Sequence, residues 1–111
     1  MKTKLIAQLD AKPEIKHGLA ESKRQEIYRA IIFADSRAEA DAQRMYPLPD
    51  PLKPGYSQAQ AHEQILRKRD AKETLVEKYE MAVAKRYRIK EATIHDIAVE
   101  GFTKNWPIPP K

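Results

Sequence analysis

The stretch Ala82–Gly101, AVAKRYRIKEATIHDIAVEG, decides how the rest of the chain is read. Ala84, Tyr87, Ile89, Ile94 and Ile97 are its apolar marks, and a short polar gap divides them into two helical halves. Steps of three within each half put these side chains on one face of a helix, and the gap around Arg88-Ile89-Lys90 has the length of a tight turn. The spacing predicts one helix ending near Arg86 and a second running over 91–100, meeting at a sharp corner with Ile89 pointing inward.

Working upstream, the helix that reaches the corner starts at the proline-rich segment. Ser57 followed by Gln60 has the form of a capping box, so a helix is expected over 58–86. Its apolar residues fall in two groups, Ala61, Ile65 and Leu66, then Ala71, Leu75, Val76, Tyr79, Ala82 and Val83, separated by the polar waist Arg67-Lys68-Arg69-Asp70. Before it, Pro47, Pro49, Pro51 and Pro54 precede Gly55, a density no helix survives. Residues 47–56 therefore read as an extended, polyproline-like linker held to the core by Leu48, Leu52 and Tyr56. A first long helix is expected over 20–46. Ser22 with Gln25 offers a capping box, and Ile27, Ile31, Ala34, Ala38, Ala42 and Met45 form one apolar stripe widened by Ile32 and Phe33. Asp35-Ser36 with Glu39 repeats the form of a helix start and marks a place for a kink. Residues 1–18 read as loosely ordered or as a short helix, with a break between Pro13 and Gly18. The fold class is all-α, a single helical domain. Its two long helices form an antiparallel hairpin, followed by a short C-terminal helix and a proline-rich tail over 102–111.

The bulk numbers bound the function. At 111 residues with 41% apolar and 7% aromatic content, the core must be built from Ile, Leu, Val and Ala. Zero cysteines exclude disulfides and thiolate chemistry. No apolar run approaches the roughly 18 residues of a membrane span. Lys2 and Lys4 start the chain like a signal peptide, but Leu5, Ile6, Ala7 and Leu9 are too few and too interrupted for its apolar core. A cytoplasmic location is the expectation. His62-Glu63 lacks the second histidine of a zinc-protease helix, since position 66 is Leu, and His17, His62 and His95 show no ligand spacing. With no glycine-rich phosphate loop, no nucleophile–base pair and no paired carboxylates in a known frame, the chain reads as non-enzymatic. No cofactor, metal or small-molecule substrate is expected.

The net charge of +5 is concentrated. Arg67 through Lys90 holds nine basic residues against Asp70, Glu73, Glu77 and Glu80, and this segment accounts for the entire excess. Such a basic stripe is the footprint of a phosphate-binding surface, or else a solvated helix face laced with ion pairs.

At the corner, Ala84, Tyr87, Ile89, Ala92, Thr93, Ile94 and Ile97 carry a resemblance to the helix-turn-helix of the resolvase, DNA-invertase and transposase families. The resemblance implies a duplex-DNA partner, with Lys85, Arg86, Arg88 and Lys90 on phosphates and Thr93 and His95 on the reading helix. Nothing upstream resembles a recombinase catalytic domain, so no catalytic residue is implied. Two departures stand out. Arg88 replaces the turn glycine and must either absorb the strain of the positive φ that glycine is used for or alter the turn. The second helix is expected to expose Glu91, His95, Asp96 and Glu100, where a base reader offers Arg, Lys, Asn or Gln. Gly101 reads as the residue that ends this helix, with Phe102 turned back on Ile97, and Trp106 reads as an anchor packed on the body. The function expected first is therefore a small helical interaction or scaffold protein that forms a homodimer or meets a protein partner. Ile65, Leu66, Leu75, Val76 and Tyr79 are the candidate face. An accessory DNA-binding protein is the alternative.

Overall fold

The computed structural model describes residues 15–108. A two-residue hairpin, β1 (Ile15–Lys16) and β2 (Leu19–Ala20), leads into three helices: α1 (Glu21–Met45), α2 (Gln58–Tyr87) and α3 (Glu91–Thr103). The architecture is all-α, as the apolar periodicity predicts. Tyr87 of α2 meets Glu26 near the start of α1, and Lys68 meets Glu39 nearer its end, so the two long helices run antiparallel.

Of the loose or short helical start expected over 1–18, residues 1–14 lie outside the described residues; from Ile15 onwards a hairpin takes its place. Ile15 pairs with Ala20 and Lys16 with Leu19, leaving His17 (φ 56°) and Gly18 (φ 73°) as a two-residue turn. Consecutive positive φ values define the turn whose twist matches a β-hairpin; glycine adopts them freely and histidine tolerates them. The hairpin delivers the chain straight into α1 with extended Ala20 as its cap, so Ser22 falls inside the first turn and caps nothing. Glu21 supplies the acidic first turn instead and accepts from the Gln25 amide at 3.3 Å. No new helix starts at Asp35; α1 is one continuous helix of 25 residues. Ser57 caps α2 as expected, its hydroxyl accepting from the Gln60 amide at 3.3 Å.

The linker is not a polyproline strut. Lys53 N–H donates to the Asp50 carbonyl and Tyr56 N–H to the Lys53 carbonyl, giving two successive β-turns with Pro51 and Pro54 each in the second position. Gly55 (φ 83°) takes the third position of the latter, the place a type II turn reserves for a positive φ. The Asp50 carboxylate also accepts from Leu52 N–H at 2.9 Å. Leu48 and Leu52 do not pin it: they are 56% and 91% exposed, and Tyr56 is exposed too.

The reason lies in where the core sits. Ile27, Tyr28, Ile31 and Ala34 of α1, Val83 and Ala84 of α2, Ile94 and Ile97 of α3 and Trp106 form one buried cluster. All of it lies at the corner end, which we call the head. Beyond it α1 and α2 continue as a two-helix arm whose seam is Ala38, Ala42 and Ala61. Alanine lets the two helices approach closely but leaves no layer to receive a leucine from the loop. The radius of gyration is 20.0 Å and the extents are 75 × 27 × 19 Å, against about 13 Å for a compact chain of this size.

The C-terminus corrects one expectation and meets another. Gly101 does not end α3 but lies within it, and the position requires glycine because the Tyr28 ring packs where a side chain would be, 2.2 Å from an ideal Cβ. The stop comes later. Trp106 N–H donates to the Gly101 carbonyl and Asn105 N–H to that of Phe102, with Asn105 at φ 56°, a Schellman ending with asparagine in the glycine role. Phe102 is therefore exposed rather than folded on Ile97. Trp106 is buried as expected, edge-on to Tyr28 with ring centroids 5.7 Å apart. Replacing Gly101 by alanine adds helix propensity but drives a methyl into the Tyr28 ring. A net destabilisation of about 2 kcal/mol is expected by urea unfolding, as for other overpacked core sites, with an unchanged midpoint as the contrary result.

Candidate functional site

The corner is built from backbone first. Ile89 N–H donates to the Ala84 carbonyl at 2.9 Å and Arg88 N–H to that of Lys85 at 3.2 Å, which closes α2 with Arg88 at φ 56°, ψ 48°. Arginine thus does take the left-handed conformation, at a cost of about 1 kcal/mol relative to glycine. Ile89 turns inward, half-buried against the core cluster, and that packing offsets the strain. Tyr87 packs on the same cluster and its hydroxyl donates to the Glu26 carboxylate at 2.8 Å. That bond, with one from Lys23, lowers the Glu26 pKa, while burial and the carboxylate raise that of Tyr87.

The residues proposed for nucleic acid do gather here. Lys85, Arg86, Arg88 and Lys90 are all exposed around the turn, and Arg86 sits 5.3 Å from the Tyr87 ring centroid. Thr93 is half-buried and His95 exposed on α3. The outward face of α3 is another matter. It presents Glu91, Ala92, His95, Asp96, Val99 and Phe102, which is acidic and apolar, with Val99 65% and Phe102 82% exposed.

Glu100 does not join that face. It turns inward onto Arg24, which is completely buried. The Arg24 Nε and Nη2 donate to the two Glu100 oxygens at 2.8 and 2.9 Å, and Nη1 donates to the Leu19 carbonyl at 2.6 Å. Lys104 adds a bond to Glu100 at 2.8 Å, and Lys16 of the hairpin approaches at 3.8 Å. The forked pair locks α3 against the start of α1 and holds the Glu100 carboxyl down at about 2, chiefly through the Arg24 bonds. Among the described residues no buried side-chain polar atom lacks a partner. Nothing in the sequence signals this pair; its members lie 76 positions apart and each reads as one more charge on a polar face.

The face proposed for self-association is dispersed. Ile65 is 47% exposed on the arm, Leu66, Leu75 and Val76 are half-buried, and Tyr79 turns onto α1, where its hydroxyl donates to Asp41 and the Arg37 guanidinium lies 4.3 Å from its ring. Asp41 is held below its usual range by that hydroxyl and by Arg44 and Arg37, and Tyr79 is raised in turn. Sequence reasoning missed the more conspicuous feature beside Tyr79. Phe33, 66% exposed, stands at the edge of a depression of about 440 Å³ floored by Ala30, Ala34, Ala82 and Val83. It also missed that the acids of α2 form a row. Glu73, Glu77 and Glu80 line a second depression between α2 and α3.

Among the described residues no three His, Asp or Glu side chains converge as metal ligands would, and no helix is long and apolar enough to cross a membrane. No protein-family model matches the chain, and neither a curated protein nor a solved structure matches it.

The Glu100 pKa sets an acid limit on the fold. Its folded value lies below the ordinary 4.5, so the stability it contributes is present above that pH and is lost as pH falls from 4.5 towards 2. The melting temperature is expected to fall across that window in the parent protein. The Glu100→Gln variant should start lower and lose less over the same span; parallel curves for the two proteins would contradict this role.

Proposed function

We propose that this chain is a non-enzymatic, cytoplasmic helical interaction protein that pairs with a second copy of itself through the α1–α2 face around Phe33. The observation that carries the reading is the juxtaposition of a knob and a hole on one face: exposed Phe33 borders an apolar depression rimmed by Arg37, Tyr79 and Arg86. A two-fold axis beside Phe33 places the ring of each copy over the alanine floor of the other, the self-complementary arrangement that closes a dimer. The α1 and α2 helices of the two copies then stack as four helices around Phe33. Arg37 is paired with Asp41 at 3.8 Å, so the rim brings less like charge together than its arginines suggest.

The alternative reading is duplex DNA held by Lys85, Arg86, Arg88 and Lys90. Their exposure around one turn supports it; the acidic, apolar outer face of α3 speaks against a base-reading helix. One experiment separates the two. In sedimentation equilibrium we expect a concentration-dependent dimer that survives raised salt, and at least a tenfold weaker association for Phe33→Gln, since two buried aromatic anchors are lost per dimer. A duplex titration from about 50 mM salt upwards, where phosphate contacts are strongest, is expected to show no retention. A strict monomer with salt-sensitive duplex binding, abolished by Arg86→Ala with Arg88→Ala, would overturn the proposal in favour of DNA.

A further inference from the structure

The positive excess of residues 67–90 conceals a segregation of charge. The four acids of that segment, Asp70, Glu73, Glu77 and Glu80, fall at steps of three, four and three, which places them in one row along α2. Arg69 engages Asp70 at 3.6 Å. The other three form one wall of the depression between α2 and α3, and Glu91 at the first turn of α3 forms the opposite wall. The floor is apolar: half-buried Val76, exposed Met81 and the edge of Ile94. The depression holds about 360 Å³.

The charges facing this groove from every side are accountable. Lys72 enters its lining, but its ammonium lies 3.3 Å from Glu39 of α1 and is directed to that carboxylate. His95 of α3 is the remaining basic group in the lining. From α1, Asp35 adds a further negative field at Glu80. Glu80 is raised above its ordinary range, first by burial, then by Asp35 and Glu91, with His95 opposing. The groove therefore gathers carboxylates that repel one another around an apolar floor, the reverse of the ion-paired surface of the arm, where Glu39, Asp41 and Glu63 each have a cationic partner.

We propose that the α2–α3 groove is a docking site for a basic amphipathic helix of a partner protein, with lysines or arginines meeting Glu73, Glu77, Glu80 and Glu91 and an apolar stripe on Val76 and Met81. Charge complementarity selects the sign of the partner. The row geometry selects a helix. Glu73 and Glu80 are seven residues apart, about 10.5 Å along α2, the repeat at which an antiparallel helix presents successive side chains from one face. Such a helix would lie beside α2 and α3 as the missing member of a bundle. The groove shares no lining residue with the depression beside Phe33, so its occupancy does not depend on self-association.

The test uses the full chain and a synthetic lysine–leucine amphipathic peptide of about four helical turns, labelled for fluorescence anisotropy, at about 50 mM salt. Because the protein is net positive, attraction of a cationic peptide requires a local acidic site rather than bulk charge. The expected result is saturable binding that falls about tenfold in Glu77→Gln with Glu80→Gln and is also weakened by Met81→Gln. It should be unchanged in Glu21→Gln with Glu63→Gln, which removes the same charge outside the groove. Helicity by circular dichroism should match in all proteins, since the replaced groove residues are exposed or half-buried. Phe33→Gln should bind the peptide as the parent does, which keeps this result separate from that of dimerisation. Absence of binding, or equal losses in the groove and control variants, would overturn the proposal.

Discussion

The forked ion pair between Arg24 and Glu100 is the contact on which the arrangement of this molecule depends. A guanidinium with no exposed surface is tolerable only when all its nitrogens have partners, and here two meet the carboxylate and the third meets the Leu19 carbonyl. One side chain thereby ties together the end of the hairpin, the start of α1 and the last turns of α3. Because Glu100 must point inward, the rotation of α3 about its own axis is set. Ile94 and Ile97 go into the core with it, and Glu91, His95, Asp96, Val99 and Phe102 are left outside. Both the acidic wall of the α2–α3 groove and the poor match of α3 to a base-reading helix follow from that rotation.

The second organising constraint is thickness. Where three helices and Trp106 meet, large side chains have partners on all sides and the core is aliphatic and aromatic. Where only α1 and α2 run together, the buried seam shrinks to Ala38, Ala42 and Ala61, joined by polar contacts between the helices: Glu39 to Lys68 and Lys72, and Asp41 to Tyr79. Exposed contacts of this kind add little stability each. Apolar area is left open at Phe33 on the head and, along the arm and its loop, at Ile65, Leu48 and Leu52, and surfaces of that type are where a chain meets another.

How much of this could be read from residues alone depended on the range of the signal. The helices, the proline break, the corner and the buried Trp106 are written in local periodicity and in the φ preferences of proline. At Arg88 the missing turn glycine left a choice between a strained φ and an altered turn, and the chain takes the strained φ. The misses were of two kinds. Arg24 with Glu100, and Gly101 beneath the Tyr28 ring, are contacts between α1 and α3, and no local pattern distinguishes them from a solvated charge and a helix-ending glycine. The hairpin at His17-Gly18, the twin turns at Pro51 and Pro54 and the acidic row of α2 were local and legible. The turns were obscured by reading proline density as extension, and the row by summing charge over a segment instead of placing it on helix faces.

The central claim is that the buried pair fixes α3 and so decides which surfaces the molecule offers. A double-mutant cycle measured by urea unfolding, Arg24→Met, Glu100→Leu and the two together, tests it most directly. Glu100→Leu strands the buried Arg24 charge and should cost about 3 kcal/mol; Arg24→Met leaves Glu100 with Lys104 and Lys16 and should cost about 2 kcal/mol. The double variant, with neither charge left, should cost no more than either single change, a coupling of at least about 2 kcal/mol. Additive losses, or single variants as stable as the parent, would contradict the account.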